Sequence, residues 1–408
     1  MRFFACIVCC LLMSLSLWGQ TNAVNTDDAP KTISPTSSGC SDAASDSIDC
    51  NTDDFVIASL LVADPGSKLY SVLGHACIRM QCPAYGLDYC FSYESEDVAH
   101  RVADFFAGKL YMGMFAIPVE EYCAPYREEG RGVYEYRLNL PIEIKRELWR
   151  ILDEEMLKGC QQPYDYFRRG CAISCARFVE QAIGNRGTII YHSDFLQSPR
   201  TAKDIFDQYA QDAPWAKWFV LSIAGGEADI PLHSAEQLIF PRELQIAWQQ
   251  ATYQGVPILQ QEEHVLVAGT PQYPQTKCTP MSLAIVFLLM AVVNLLWKKP
   301  YIDWCLLALQ TPIGLCMTYL VCFSDLCCTS WNWLIIPFNP LPAIFWHWRK
   351  YWALPFAALL MVWCIAIGIA DIWIHTLTDL SMVIMVCAFT CVLIKQHTKS
   401  HITNKQPL

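Results

Sequence analysis

The chain has 408 residues, 53% of them hydrophobic and 17% charged, with a mean hydropathy of +0.23. That is too apolar for an ordinary soluble protein and too polar for one immersed wholly in a bilayer, so a soluble part joined to a membrane part is expected. A net charge of −10 argues against a nucleic-acid partner, whose phosphates call for a basic face.

The N-terminus reads as a signal peptide over residues 1–23. Arg2 precedes an apolar stretch, Phe3 to Leu17, that is too short for a comfortable membrane span, and Gly19 and Ala23 are small residues near a cleavage point. Residues 24–52 are rich in Ser, Thr, Asp and Asn and read as a disordered leader. An α+β domain is expected over 53–275. Its strands are Phe55–Val62, His75–Gln81, Leu87–Tyr93 and Arg131–Asn139, with a turn or short helix at Lys68–Leu73 and helices over Asp97–Gly108, Ile142–Leu157 and Cys171–Ile183. Pro141 opens the second of these helices and Gly184-Asn185 closes the third.

After Cys278 the character changes. Residues 276–398 hold five apolar segments, Met281–Trp297, Ile302–Phe323, Trp331–Trp346, Trp352–Ile374 and Leu377–Ile394, followed by a tail over 399–408. Each is near the length that crosses a hydrocarbon core of about 30 Å. The prolines 337, 340 and 342 make the third a candidate re-entrant segment. Lys298, Lys299, Arg349, Lys350, Lys395 and Lys399 fall on one side, whereas Asp325, Asp371 and Asp379 fall on the other without Lys or Arg. The positive-inside rule then puts the exported domain outside and the C-terminus in the cytoplasm, in agreement with the signal peptide.

There are 21 cysteines: three in the signal segment, eight in the apolar region, and ten at 40, 50, 77, 82, 90, 123, 160, 171, 175 and 278. In an oxidising compartment most of the ten are expected to pair, Cys40 with Cys50 and others among 77, 82, 90, 123 and 160, with connectivity open. Cys77-x4-Cys82 and Cys171-x3-Cys175 match zinc spacings only loosely, so no metal or other cofactor is expected.

Cys171 stands out because it begins a helix, where unpaired N–H groups and the helix dipole favour a thiolate. His75 follows Gly74 at a strand start, and an imidazole there could take the thiol proton and return it to a leaving group. Ser92, Tyr93 or Asp88 on the next strand could orient that imidazole. Ser71, Arg79 and Arg131 are further candidates for orienting groups or binding substrate, the arginines through phosphate. Cys171, Cys175, Phe178, Val179 and Ala182 share one helical face, so both cysteines could equally be buried apolar residues or disulfide partners. In the membrane part, Asn332 and Asn339 could bond between helices or belong to a lipid-facing element beneath the exported domain.

Ser71-x-x-Gly-His75-Ala-x-Ile-Arg79, Phe105-x-x-Gly-Lys-Leu-Tyr111-Met, Arg131-Gly-Val-Tyr-Glu-Tyr-Arg-Leu-Asn-Leu140 and Tyr164-Asp-Tyr-Phe-x-x-Gly-Cys171 resemble, in that order, the Lnb family of bacterial envelope proteins. Pro214-Trp215, Gly225, Asp229, Phe240-Pro241 and the Asn332–Leu341 loop continue the resemblance. That family is associated with N-acylation of lipoproteins in the Bacteroidota, and its exported domain is similar to papain-like thiol enzymes with His before Cys. The resemblance implies Cys171 as nucleophile, His75 as base, a phospholipid acyl donor and a diacylated lipoprotein acceptor, in a multi-pass inner-membrane protein with a periplasmic catalytic domain. Relatives carry Asn-Cys where this chain has Gly170-Cys171. Ser174-Cys175-Ala-Arg-Phe-Val179 also resembles the Asn-Cys-Glu-His-Phe-Val motif of the lecithin–retinol acyltransferase group, which keeps Cys175 as an alternative nucleophile. A papain-like peptidase or amidase acting on peptidoglycan, and a non-enzymatic assembly protein, are the competing expectations.

Overall fold

The computed structural model describes residues 52, 54–95, 101–165, 167–192, 196, 198–296, 300–373 and 379–403. The expected signal peptide, nearly all of the leader, Cys40, Cys50 and Lys298–Lys299 lie outside them.

The N-terminal part is α+β. Its seven-stranded sheet is built from β1 (Ile57–Ala63), β2 (His75–Cys82), β3 (Leu87–Glu94), β4 (Tyr111–Pro118), β5 (Val133–Leu138), the two-residue β6 (Gln162–Pro163) and β7 (Leu259–Val267). The spatial order is β7-β5-β1-β2-β3-β4-β6, and every neighbouring pair is antiparallel. Period-two alternation sends the two sets of side chains to different layers. Ala58, Leu60, Ile78, Met80, Phe91 and Tyr136 face the main core. Leu61, Ala63, Cys77, Cys90 and Val133 face a smaller cluster under α2 (Val119–Glu129).

The main core is covered by α3 (Ile142–Lys158) and α4 (Cys171–Ile183). In α3, Ile142, Lys145, Leu148, Ile151 and Leu152 recur at helical spacing and are buried. In α4, the expected inward face is the buried one, with Cys175, Phe178, Val179 and Ala182 inside. The first helix, α1, spans Val102–Ala107; residues 97–100 of the expected Asp97–Gly108 helix lie outside the described residues. Further helices α5 (Ala202–Tyr209), α6 (Pro214–Ile223) and α7 (Pro241–Gln250) complete this part.

The pairing expected among cysteines 77, 82, 90 and 123 is corrected: these four are free thiols. Cys77 and Cys90 lie on neighbouring strands, but Cys90 is opposite Arg79, so the two thiols are diagonal to each other and hydrogen-bonded rather than joined. Burial keeps the Cys77 thiol well above its ordinary pKa, away from the thiolate form that disulfide exchange requires.

The C-terminal part is helical. Among the described residues, three helices are long and apolar enough to cross a membrane: α9 (Tyr301–Cys322), α10 (Arg349–Trp373, preceded by a short turn from Trp346) and α11 (Leu380–Thr403). The apolar helix α8 (Pro280–Leu296) has 17 residues, about 25 Å at 1.5 Å per residue. The third expected span is not a helix. Residues 331–346 break into short turns around the single-turn helix Leu341–Ile344, because Pro337, Pro340 and Pro342 withdraw backbone donors.

At one end of the bundle, Asp303 of α9 accepts from Gln396 at 2.7 Å and lies 3.4 Å from Lys395, both on α11. Arg349 of α10 donates to Gln396 at 3.0 Å, and Asn294 of α8 bonds both Asp303 and Lys395. Arg349 and Lys395, two of the positive residues the charge rule uses, thus lie at one end of the bundle. At the other end, residues 324–332 run beneath the α+β part. Asp325 N–H donates to Ala107 O at 3.2 Å, Gly225 N–H to Cys328 O at 2.6 Å, and Asn332 Nδ2 to Ser222 O at 2.8 Å. Asn332 and Asn339 hold this loop through backbone groups, with Asn339 Nδ2 donating to Ile336 O at 2.8 Å, rather than facing lipid.

Candidate active site

The tight turn before β2 sets His75. Gly74 has φ +80°, and a Cβ there would stand 2.4 Å from Ala63 O, so only glycine fits. The reversal points His75 back toward the start of α4, which packs against β2. Cys171 is the first residue of that helix. Its partly exposed thiol and the His75 imidazole are hydrogen-bond partners.

Burial pushes the Cys171 thiol up, but the charge and hydrogen bond of His75, with the backbone N–H groups of Ala76 and Ala172, outweigh it and leave the pKa lowered. Burial pulls His75 down, while the Cys171 thiolate, their hydrogen bond and the Glu94 carboxylate outweigh it and leave the pKa raised, against an opposing push from Arg131. Both shifts favour a thiolate–imidazolium pair.

The rest of the imidazole is held from β3. His75 Nε2 is 2.7 Å from Ser92 Oγ, which donates to Glu94 Oε2 at 3.1 Å. The same nitrogen is 3.9 Å from that carboxylate oxygen. With Nε2 engaged, Nδ1 is the nitrogen free for the thiol. Ser92 and Glu94 are two apart on one strand and therefore share a face. The Tyr122 ring lies 6.4 Å from the imidazole and walls the site from α2.

Among the expected residues, then, Cys171, His75 and Ser92 come together. Glu94 was missed in the sequence, although Ser92-x-Glu94 on a strand neighbouring His75 is the pattern that signals it. Cys175 lies one turn deeper at 3% exposure, with burial pushing its thiol well above the ordinary value. Tyr93 points into the core, where its ring meets Phe178 edge-on at 6.3 Å. Ser71 is buried and donates to Lys68 O at 3.2 Å. Arg131 grips Asp64 O through Nε at 2.9 Å and Nη2 at 2.6 Å, binds Glu129 at 2.9 Å, and covers the Tyr126 ring. Arg79 is bidentate to Asp88 at 2.8 and 2.6 Å and bonds Glu135 at 2.9 Å, so Asp88 serves Arg79 instead of His75.

Gly170 precedes the thiol with φ −76° and ψ 171°, extended backbone open to any residue, and a Cβ there would have ordinary contact with Ile239 O at 3.4 Å. Nothing in the backbone at this helix start therefore calls for glycine.

Residues 48–199 match the model of a family described as the Lnb N-terminal periplasmic domain. No curated protein and no solved structure matches the chain.

Proposed function

The chain belongs to the Lnb family through its residues 48–199, and from this premise we propose that it is a multi-pass inner-membrane acyltransferase, papain-like in arrangement, that moves an acyl chain from a phospholipid to the α-amine of a lipoprotein's N-terminal cysteine. The observation that carries the reading is the Cys171–His75–Ser92 constellation, set in a domain docked on helices long enough to cross a membrane.

In the first half-reaction the Cys171 thiolate attacks an ester carbonyl carbon of the phospholipid. The Ala172 N–H at the start of α4 faces the sulfur and supplies a donor beside the developing oxyanion. The ester C–O bond breaks, the His75 imidazolium gives its proton to the departing alkoxide, and a lysophospholipid leaves with Cys171 as a thioester. In the second half-reaction the lipoprotein amine attacks the thioester carbonyl and His75 takes a proton from nitrogen. The C–S bond breaks, giving an amide and the thiolate again. Donor and acceptor both lie in the bilayer, so holding the thiol at its surface replaces a search through three dimensions by one in two.

Mass spectrometry of lipoprotein N-termini tests this. Cells carrying Cys171→Ala in place of the unaltered protein are expected to accumulate lipoproteins with a free amine. Amide-linked chains persisting at the normal level would remove Cys171 from the role, and altered muropeptides with normal lipoprotein termini would point to peptidoglycan instead.

A further inference from the structure

The segment leading into Cys171 forms one wall of a cavity of about 390 Å³ at the seam between the two parts of the molecule. Arg168 and Arg169 line it from above, Glu227 closes one side, and Val321 with residues 324–330 forms its floor. Val321 is next to the last residue of α9, so the cavity sits at the end of that apolar helix nearer the α+β part. Phe323 and Trp331, 74% and 79% exposed, flank the same loop, in keeping with aromatic side chains at headgroup depth.

The charges are mixed in a particular way. Asp165 is committed internally, accepting from the backbone N–H of Phe167 at 3.0 Å and of Arg168 at 2.9 Å. The other groups are loosely held. Arg168 Nη1 stands 3.9 Å from Glu227 Oε2 with both side chains substantially exposed, and Arg169 donates to Pro163 O at 3.3 Å. Asp325 is exposed, lines the cavity and contributes its backbone N–H to Ala107. The cavity holds two guanidinium groups and three carboxylates; with Asp165 taken up by its own backbone, the two arginines and the two remaining carboxylates suit a ligand that carries both signs. A phosphate would find the planar donor forks of the arginines, and an ammonium would find Glu227 and Asp325.

We propose that this cavity is the headgroup site for a zwitterionic phospholipid bearing a phosphate and a primary ammonium, the ethanolamine class. The proposal rests on the phospholipid-donor reading above and names the donor's headgroup. Arg169 and Arg168 lie two and three residues before Cys171, at most about 7 and 11 Å of extended chain. A headgroup held there leaves its glycerol esters on the side of the thiol and its chains beside α9.

The test is lipid retention by the full-length Cys171→Ala protein in detergent, followed by native mass spectrometry, so that no turnover is needed. Phosphatidylethanolamine is expected to be retained at least fivefold over phosphatidylglycerol. Arg168→Gln with Arg169→Gln should lower retention of both lipids tenfold or more, and Glu227→Gln should level the two. Arg168 is exposed, so Arg168→Gln alone keeps the fold and carries the test if the double variant does not. Equal retention of the two lipids by the starting protein, or full retention by the arginine variants, would overturn the proposal. Displacement of the lipid by millimolar inorganic phosphate would also overturn it, in favour of a simple phosphate site. Retention as expected without lipoprotein acylation in cells would remove acyl transfer and leave the cavity. Acylation indifferent to headgroup would do the reverse.

Discussion

Strands β2 and β3 carry a charged group at each end of one face, and the two ends differ in what they leave unused. At one end the Arg79 guanidinium is spent on Asp88 and Glu135, in three bonds between 2.6 and 2.9 Å. About 13 Å away along β2, at ~3.3 Å per residue, His75 has Nε2 fixed by Ser92 and interacts with the Cys171 thiol. A saturated ion cluster holds strands in register. A half-engaged imidazole beside a thiolate keeps a proton in play. The lesson is that commitment of bonds, more than residue type or burial, separates the framework from the chemistry.

His75→Ala strikes the reactive end hardest. Loss of the proton carrier should slow acyl transfer about 10²–10⁴-fold, with thermal stability little changed, read by single-turnover thioester formation. Arg79→Met strikes the framework end. Leaving Glu135, whose side chain is 6% exposed, without its cation should cost about 3 kcal/mol, seen as a lower denaturant midpoint with thiol alkylation unchanged. An Arg79→Met variant with an altered alkylation rate would dissolve the distinction between the ends.

Glu94→Gln sharpens it with the smallest effect, roughly tenfold in rate, or ~1.4 kcal/mol. The Glu94 carboxylate helps hold His75 above its ordinary value, so its loss lets the imidazolium deprotonate earlier. The alkaline limb of the pH–rate profile should move to lower pH, and a merely structural Glu94 would leave that limb in place. The same shifts set the pair's effect on folding. The His75 contribution is full below its unfolded value and fades as pH rises through the raised folded value. The Cys171 contribution is full above its unfolded value and fades as pH falls through the lowered one.

Much of this was legible in the sequence, and the limits have physical causes. α4 begins and ends where its apolar spacing and Gly184 predict, and β2 and β3 extend one residue past their expected ends. α2 was hidden by Pro125 in its interior. β7 was hidden because Glu262 and Glu263 make Leu259–Val267 read as polar, and it finds β5 from more than a hundred residues away. Such non-local pairing leaves no periodic trace. Cys171 and His75 were visible as types at suggestive positions, and the resemblance put Cys171 ahead of Cys175; that Cys175 lies one turn deeper is visible only in the structure. Glu94 was invisible until β2 and β3 were in register. The apolar run at 331–346 misled on length, since its prolines matter more than its hydropathy.

The hydrogen bonds from 324–332 to Ala107, Ser222 and Gly225 also impose an order of assembly. Synthesis runs from the N-terminus, so residues 53–275 are across the membrane and folding before the loop that underlies them exists. The seam closes only after α9 and residues 324–332 have been made. Chain synthesis through this loop is thus the last step in completing it, and a ribosome stalled ahead of residue 324 leaves Ala107, Ser222 and Gly225 without the loop they bind.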